Sequence, residues 1–412
     1  MINQQQHGFM KGKSTSTNLV SYTEFITSVI EDSGQVDCAY TDFAKCYDRI
    51  NHNLLISKLR SFGIEGNLLN WIESFHVDRK QIVKISTSGK TGGSQHYKSK
   101  PISVTSGCIQ GGHVSGILFL CFINDIIKIV PPQVKAWMFA DDLKIAIRVR
   151  GESDALVLQE TLRRLYCWCQ NNLMQLNISK CKIMSYHTIR NPFIYNYHIN
   201  NEQLGRVNQI KDLGVTFENN LKFNLHFSLT KSKALQMLGF LYRQTQDFRN
   251  STTLKILYYA YVRSKVEYCS VVWSPQYKTH IKSLESIQHK FLRMLAYKQG
   301  SRILDHDYSH IMHVNKIVSL EHRREMNDLI FLHKLLNNKI NVPELHHGIN
   351  MRDNTMNTRL HSKFILKKSR TNIGEHSPML RMQKFGNEIS GAGVDVCSCS
   401  LTELRNFYLI SK

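Results

Sequence analysis

Two acidic positions have the residue type and setting for metal-assisted chemistry. Asp42 closes the run V-D-C-A-Y-T-D at 36–42, and Asp141-Asp142 sits in F-A-D-D at 139–142. Carboxylates on neighbouring strand ends can converge on divalent cations, because Mg²⁺ takes a few carboxylate oxygens and completes its shell with water and substrate phosphate. Two such ions about 4 Å apart stabilise both the attacking and the leaving oxygen of an in-line phosphoryl displacement. Asp-Asp is also ordinary turn chemistry. Apolar strands on both sides argue for more than that, since a turn between core strands lies at the rim of a sheet. A third piece is S-G-C-I-Q-G-G at 106–112. Its glycines allow close backbone approach, and a loop entering a helix can receive phosphate; taken alone it is equally a flexible turn.

These pieces need elements to hold them. Residues 36–42 read as a strand. Helices follow from about Asn53, with Gly63 as the stop, and from about Asn67. Residues 81–87 look like a strand, and 89–100 form a Gly-, Ser- and Lys-rich loop. A helix at 116–129 is closed by Pro131-Pro132. The clearest hairpin spans 134–149, where Leu143, Ile145, Ile147 and Val149 share one face and Lys144 and Arg148 the other. A long helix at 154–176 and short strands at 181–186, 194–199 and 213–217 come next. From about 222 the pattern is helical, with Ile281, Leu284, Gln288, Phe291 and Leu295 tracing one face. The last hundred residues are poorly patterned. Residues 351–384, with 8 basic and 2 acidic side chains, read as a weakly structured basic surface.

Composition narrows the partners. The 412 residues carry 53 Lys+Arg against 32 Asp+Glu, a net charge of +21. The excess is uneven: +5 over 1–150 and +16 over 151–412. Such a balance suits a phosphate-rich partner. With 42% hydrophobic residues the chain can build real cores. The most apolar stretch, 116–130, is shorter than the roughly 20 residues a membrane span needs and carries Asn124, Asp125 and Lys128. The N-terminal residues lack an apolar signal region, and ten cysteines are ordinary for this length, so an intracellular, reducing compartment is expected. Cys167, Cys169, Cys181 and His187 fit no usual zinc spacing. Trp71, Trp137, Trp168 and Trp273 lie among apolar residues and are expected in the core.

Taken in order, the motifs resemble the reverse transcriptase of non-LTR retrotransposons (LINE-type, jockey and CR1 groups). Q-H-G-F-M-K-G-K-S-T at 6–15 looks like the segment ahead of the first catalytic strand. D-F-A-K-C-Y-D-R-I-N-H at 42–52 is similar to the first catalytic motif, and S-G-C-I-Q-G-G-H-V-S-G-I-L-F to the nucleotide- and template-contacting loop and helix. F-A-D-D matches the catalytic doublet. W-C-Q-N-N-L-M-Q-L-N-I-S-K-C-K at 168–182, K-D-L-G-V-T-F at 211–217 and V-R-S-K-V-E-Y-C-S-V-V-W-S-P at 262–275 resemble the motif after the doublet, the primer-grip hairpin and a thumb segment. The likeness fades after about residue 300.

The resemblance implies an α+β right-hand polymerase: a residual fingers segment (1–35), a palm of antiparallel sheet and packed helices (36–204), a primer-grip-like hairpin and helical thumb (205–300), and a basic C-terminal extension (301–412). It implies RNA-directed DNA polymerase activity on an RNA template and DNA primer with deoxynucleoside triphosphates, no membrane, and two Mg²⁺ ions, with Mn²⁺ as the alternative. Asp42 and Asp141 would hold the metals, and Asp142 would be the less directly coordinated acid. Tyr47 falls where the family has a steric gate against the ribose 2′-OH. Phe43 and Ala44 would offer backbone amides to the triphosphate. Gln110 and Gly111 would contact nucleotide and template, and Lys180 or Lys182 the leaving pyrophosphate. The loop departs from the family's S-G-V-P-Q-G-S followed by Gly-Pro: Cys108, Ile109, Gly112, Ser115 and Gly116 replace Val, Pro, Ser, Gly and Pro, removing two fixed φ angles. The chain also begins where upstream fingers would already have passed, with no endonuclease ahead of it. A truncated remnant that binds nucleic acid without polymerising is therefore the competing expectation.

Overall fold

Seven consecutive buried residues, Gln35–Thr41, make the central strand of a five-stranded sheet. On one side lies the strand Asp142–Val149 and then Lys135–Phe139; on the other lie Lys182–His187 and the two-residue strand Gly205–Arg206. Continuous burial is what a strand covered on both faces requires. The hairpin pairs antiparallel from Lys135↔Ala146 to Phe139↔Asp142, while Gly205 and Arg206 pair parallel with Lys182 and Ile183. The computed structural model describes all residues except 89–93, 302, 304, 353–361 and 411–412.

The chain divides into two units. The first contains residues 1–10, 37–183 and 193–206; the second contains 11–36, 184–192 and 207–412. In the first, the helix Glu152–Asn171 buries Ala155, Leu158, Leu162 and Leu165 at helical spacing. The helices His52–Ser61, Gly66–His76 and Ser115–Ile123 contribute Leu55, Leu59, Ile72, Phe119 and Phe122 to the same core. Several elements differ from the sequence pattern. The helix expected over 116–129 is α-helical only to Ile123 and continues as a 3₁₀ turn, Asn124–Ile129. The helix expected to reach 176 ends at Asn171, and Leu176 bridges to Phe43 instead. Part of the loop expected at 89–100 is the strand Ser94–Lys98, paired with Lys84–Ser88; residues 89–93 lie outside the described ones. Trp71 is 51% exposed, stacked on Phe75, and so is not a core residue; Trp137, Trp168 and Trp273 are.

In the second unit, the hairpin Gln209–Asp212 and Val215–Glu218 turns on Leu213-Gly214, both with positive φ, as a two-residue hairpin requires. Long helices Asn224–Gln244, Lys278–Lys298 and Leu320–Leu336 follow. The helix Thr15–Glu31, inside the segment 1–35 that the resemblance assigns to the fingers, belongs to this unit: Glu31 accepts the backbone N–H groups of Arg370 and Thr371, and Glu24 that of Met379.

The expectation of a weakly structured surface over 351–384 holds for 365–370, which are exposed or half-exposed and form no helix or strand, and is corrected from Asn372 onward; 353–361 lie outside the described residues. The helix Pro378–Gly391 buries Met379, Met382 and Ile389. Its Arg381 pairs with buried Asp328 at 2.7 Å and donates to Val271 O. A charged pair inside the core hides the periodicity that apolar residues would display. Glu24 lies in the same neighbourhood. Burial raises its pKa to about 7, against the opposing pull of the Met379 hydrogen bond and the Arg381 charge. The folded chain therefore holds this proton where the unfolded chain has released it. The stabilisation is complete below about pH 4.5 and is lost as the pH rises through about 7. Because Glu24 keeps part of its surface in solvent, the expected swing is about 2 kcal/mol, less than a fully buried group would give. Urea titrations across this range should show the unfolding free energy falling as pH rises, and Glu24→Gln should remove most of that slope; an equal slope in the variant would refute the assignment.

Candidate active site

Asp42 follows the last residue of the central strand, Asp141 lies in the turn of the neighbouring hairpin and Asp142 starts its second strand. The two ends are tied at the rim: Thr41 Oγ1 donates to Leu143 O at 2.9 Å. Asp42 and Asp141 are partly exposed and Asp142 is exposed, so all three carboxylates reach water. From Asp42 the chain runs along residues 175–177: Asn177 N donates to Asp42 O (2.7 Å) and Ala44 N to Gln175 O (2.8 Å). The Ala44 amide expected at a triphosphate is thus already spent within the protein, while Phe43 is buried in the core. Lys45, with φ +52, then turns the chain into the 3₁₀ turn Cys46–Arg49.

That turn carries two groups toward Asp141. Cys46 Sγ donates to Asp141 Oδ2 at 3.0 Å; burial and then this hydrogen bond push the thiol pKa up. Tyr47 stacks on Phe119 with ring centroids 4.4 Å apart. Burial, then the charge of Asp141, raise its hydroxyl to about 12. Lys180 and Lys182, inseparable by sequence, part company: Lys180 Nζ lies 3.6 Å from Asp42 Oδ2, whereas Lys182 Nζ donates to Ser179 O. Asp37, also acidic and on the central strand, is outside the site. It is fully buried, accepts from Tyr197 OH at 2.9 Å and lies 3.8 Å from Arg206.

The glycine-rich loop is held without its prolines. Gly107 N donates to Ile50 O and Cys108 N to Tyr47 O; Ser106 Oγ donates to Asp48 O and Gln110 Nε2 to Asp48 Oδ1. Gly107 has φ +91, and a Cβ there would meet the Asp48 backbone at 2.9 Å, so only glycine lets the loop lie against the 3₁₀ turn. Gln110 and Gly111 themselves are exposed.

Sequence reasoning missed the group that fixes the doublet. Residues 5–8 run beside Lys135–Phe139: Met138 N donates to Gln5 O and His7 N to Met138 O. The Gln6 side chain, 2% exposed, then clamps Ala140 from both sides, with Oε1 accepting from Ala140 N at 2.9 Å and Nε2 donating to Ala140 O at 3.2 Å. Ala140 has φ +54, a strained value for a residue with a side chain. Gly8 completes the clamp, because a Cβ there would lie 2.4 Å from Ala140 N. The available signal was Gln6 and Gly8 standing two apart, but the pairing spans 134 residues.

Among the described residues no three or more His, Cys, Asp or Glu side chains close into a metal-ligand cluster. The donor set still fits Mg²⁺: hard, partly solvated carboxylate oxygens, too few to fill its shell, leave positions for water and phosphate. Among the described residues Asp42 forms an ion pair with Lys180, which is 66% exposed and can swing away. Acids at the end of a central strand and in the turn of the hairpin beside it, with helices packed on the sheet, define a polymerase palm.

Comparison with known proteins agrees. Residues 1–241 match the family described as reverse transcriptase (RNA-dependent DNA polymerase), and the chain belongs to that family. Similar proteins include the probable RNA-directed DNA polymerase from transposon BS of Drosophila melanogaster (23% identical over 308 residues) and the RNA-directed DNA polymerase from mobile element jockey of the same fly (22% over 305). Each match covers 71% of this chain and 32% of the relative, so the chain spans about a third of their length. Apo telomerase from Candida tropicalis aligns at TM-score 0.37 and 12% identity, over 78% of this chain and 54% of that one. Among the described residues no helix is long and apolar enough to cross a membrane.

Gln6→Ala should leave the Ala140 N–H and C=O without their side-chain partner. The expected cost is about 2–6 kcal/mol in denaturant unfolding, at about 1–3 kcal/mol for each of the two orphaned buried groups. The Ala140 amide should also exchange with solvent faster than its neighbours in Lys135–Phe139; uniform protection in the variant would speak against the clamp.

Proposed function

We propose that this chain is the polymerising part of a non-LTR retrotransposon reverse transcriptase, extending a DNA primer on an RNA template. The observation that carries the reading is the tie between the end of the central strand and the start of its neighbour, Thr41 Oγ1 to Leu143 O, which holds Asp42 beside Asp141-Asp142. Membership of the reverse transcriptase family supports it, as does the likeness to the transposon polymerases. Asp42 and Asp141 would hold two Mg²⁺, or Mn²⁺ in its place, with Asp142 as the outer acid. The ions, when bound, lower the pKa of the primer 3′-OH and neutralise developing phosphate charge.

The chain's own residues do the rest. Lys180, close to Asp42, is suited to turn toward the departing pyrophosphate, and Lys182, engaged with Ser179, is not. Gln110, held by Asp48, and Gly111 present the loop to nucleotide and template, and the Phe43 backbone remains the amide offered to the triphosphate. Tyr47, fixed by its stack on Phe119, would exclude a 2′-hydroxyl. The basic excess over 151–412 supports binding of the template and primer backbones.

Primer extension on an RNA template with Mg²⁺ and deoxynucleotides tests this reading. Wild-type protein should give extended product and Asp141→Ala should lose about 10²–10³-fold or more, the scale of removing one preorganised stabiliser of transition-state charge. Product equal to that of the Asp141→Ala control would overturn it and leave binding without polymerisation. In the same assay Tyr47→Ala should admit ribonucleotides about 10–100-fold more readily, a steric discrimination of the size a pocket wall provides.

A further inference from the structure

Between the helix Gly66–His76 and the glycine-rich loop lies a two-stranded ribbon outside the five-stranded sheet. Lys80-Gln81 pairs with Ile102-Ser103, and Lys84–Ser88 pairs with Ser94–Lys98. The described side chains of 80–87 and 94–103 are all exposed. A lone two-stranded ribbon is marginal in water, so something besides its own packing has to account for it.

Its charge is the informative feature. From Arg79 to Asn124 the sequence contains no acidic residue, while Arg79, Lys80, Lys84, Lys90, Lys98 and Lys100 fall within 79–100. The register sets Lys84 directly opposite Lys98, and Ser86 opposite His96 on the same face. Like charges directly across a strand pair repel, and nothing on that face neutralises them among the pairs of this ribbon. The other face sets Ile85 against Tyr97, 58% and 59% exposed. At the root of the ribbon a cleft of about 470 Å³ is lined by His52, His76, Arg79 and Lys80, with Asp78 as the one acid on its wall. Arg79 Nη1 is buried there with no hydrogen-bond partner. His52 Nε2 contacts Gly107 O at 2.9 Å, so the cleft lies beside the glycine-rich loop, and Arg79 and Lys80 on its wall precede the Lys84/Lys98 face along the chain.

We propose that this ribbon is a nucleic-acid arm: the Lys84/Lys98 face binds the phosphate backbone of a template or primer strand entering or leaving the loop. The choice of a nucleic acid over another polyanion rests on the polymerase reading; the anionic chemistry of the partner does not.

The test uses the full chain and a fluorescent RNA template annealed to a DNA primer, with anisotropy titrations from about 50 to 200 mM NaCl. Each phosphate contact contributes about 0.7–0.9 to the slope of log K against log salt. Lys84→Gln/Lys98→Gln should therefore flatten the slope by about 1.4–1.8 and weaken binding at low salt, whereas Lys84→Arg/Lys98→Arg should keep it. Tyr97→Ala, on the opposite face, should leave the slope unchanged. An unaltered slope in the Gln double variant, with wild-type binding intact, overturns the arm. So does a wild-type self-association in sedimentation that Tyr97→Ala abolishes while the salt slope stays the same, since the ribbon would then be a protein contact. Wild-type binding that shows the slope change but yields no primer extension leaves the arm standing and overturns the polymerase reading alone.

Discussion

Three carboxylates of like charge have to be held together at the wet rim of a sheet, and their mutual repulsion has to be borne by parts of the chain that cannot move. The remainder of the first unit answers that requirement. A strand buried over its whole length supplies the fixed edge on which Asp42 ends. The neighbouring hairpin supplies the other edge, and a threonine hydroxyl fastens the two. The turn itself would be the weak point, since Ala140 sits in the left-handed region. Gln6 and Gly8 hold it there by using one side chain's donor and acceptor and one residue's lack of a side chain. Both come from a segment far away in sequence, so a local liability is relieved by a long-range contact.

The same logic runs through the glycine-rich loop. Two prolines would restrict this loop through covalent geometry; here hydrogen bonds to Ile50, Tyr47 and Asp48 do so from outside. That exchange makes the loop dependent on the 3₁₀ turn Cys46–Arg49, which also carries Tyr47 and presents Cys46 to Asp141. The loop, Tyr47 and Asp141 are therefore mechanically one piece. A substitution at Asp48 would be felt at all three.

Much of this was legible in the residues. The hairpin announced itself through strict alternation at 143–149, and the placing of Asp42 and Asp141-Asp142 at strand ends was legible too. The helix Glu152–Asn171 showed its apolar stripe. What stayed hidden has a common cause. Lys180 and Lys182 are chemically equal, and only the backbone turn after Asn177 separates them. Gln6 reads as an ordinary polar residue until its partner 134 positions away is known. The C-terminal helices conceal their core because Asp328 and Arg381 are inside it, and a buried ion pair looks like a surface in a hydropathy pattern. Trp71 shows the reverse error, an apolar residue left at the surface.

The division of the chain has a temporal side. Residues 11–36 and 207–412 share a unit although about 160 residues of the other unit lie between them. Glu31 waits for Thr371, 340 residues later. At about 5–20 residues per second of synthesis, that is roughly 20–70 s during which the helix Thr15–Glu31, with eleven residues destined for burial, has left the ribosome without its final neighbours. Tyr22 meets Tyr186 and Phe217 first, so the helix is enclosed in stages and its Glu31 end last.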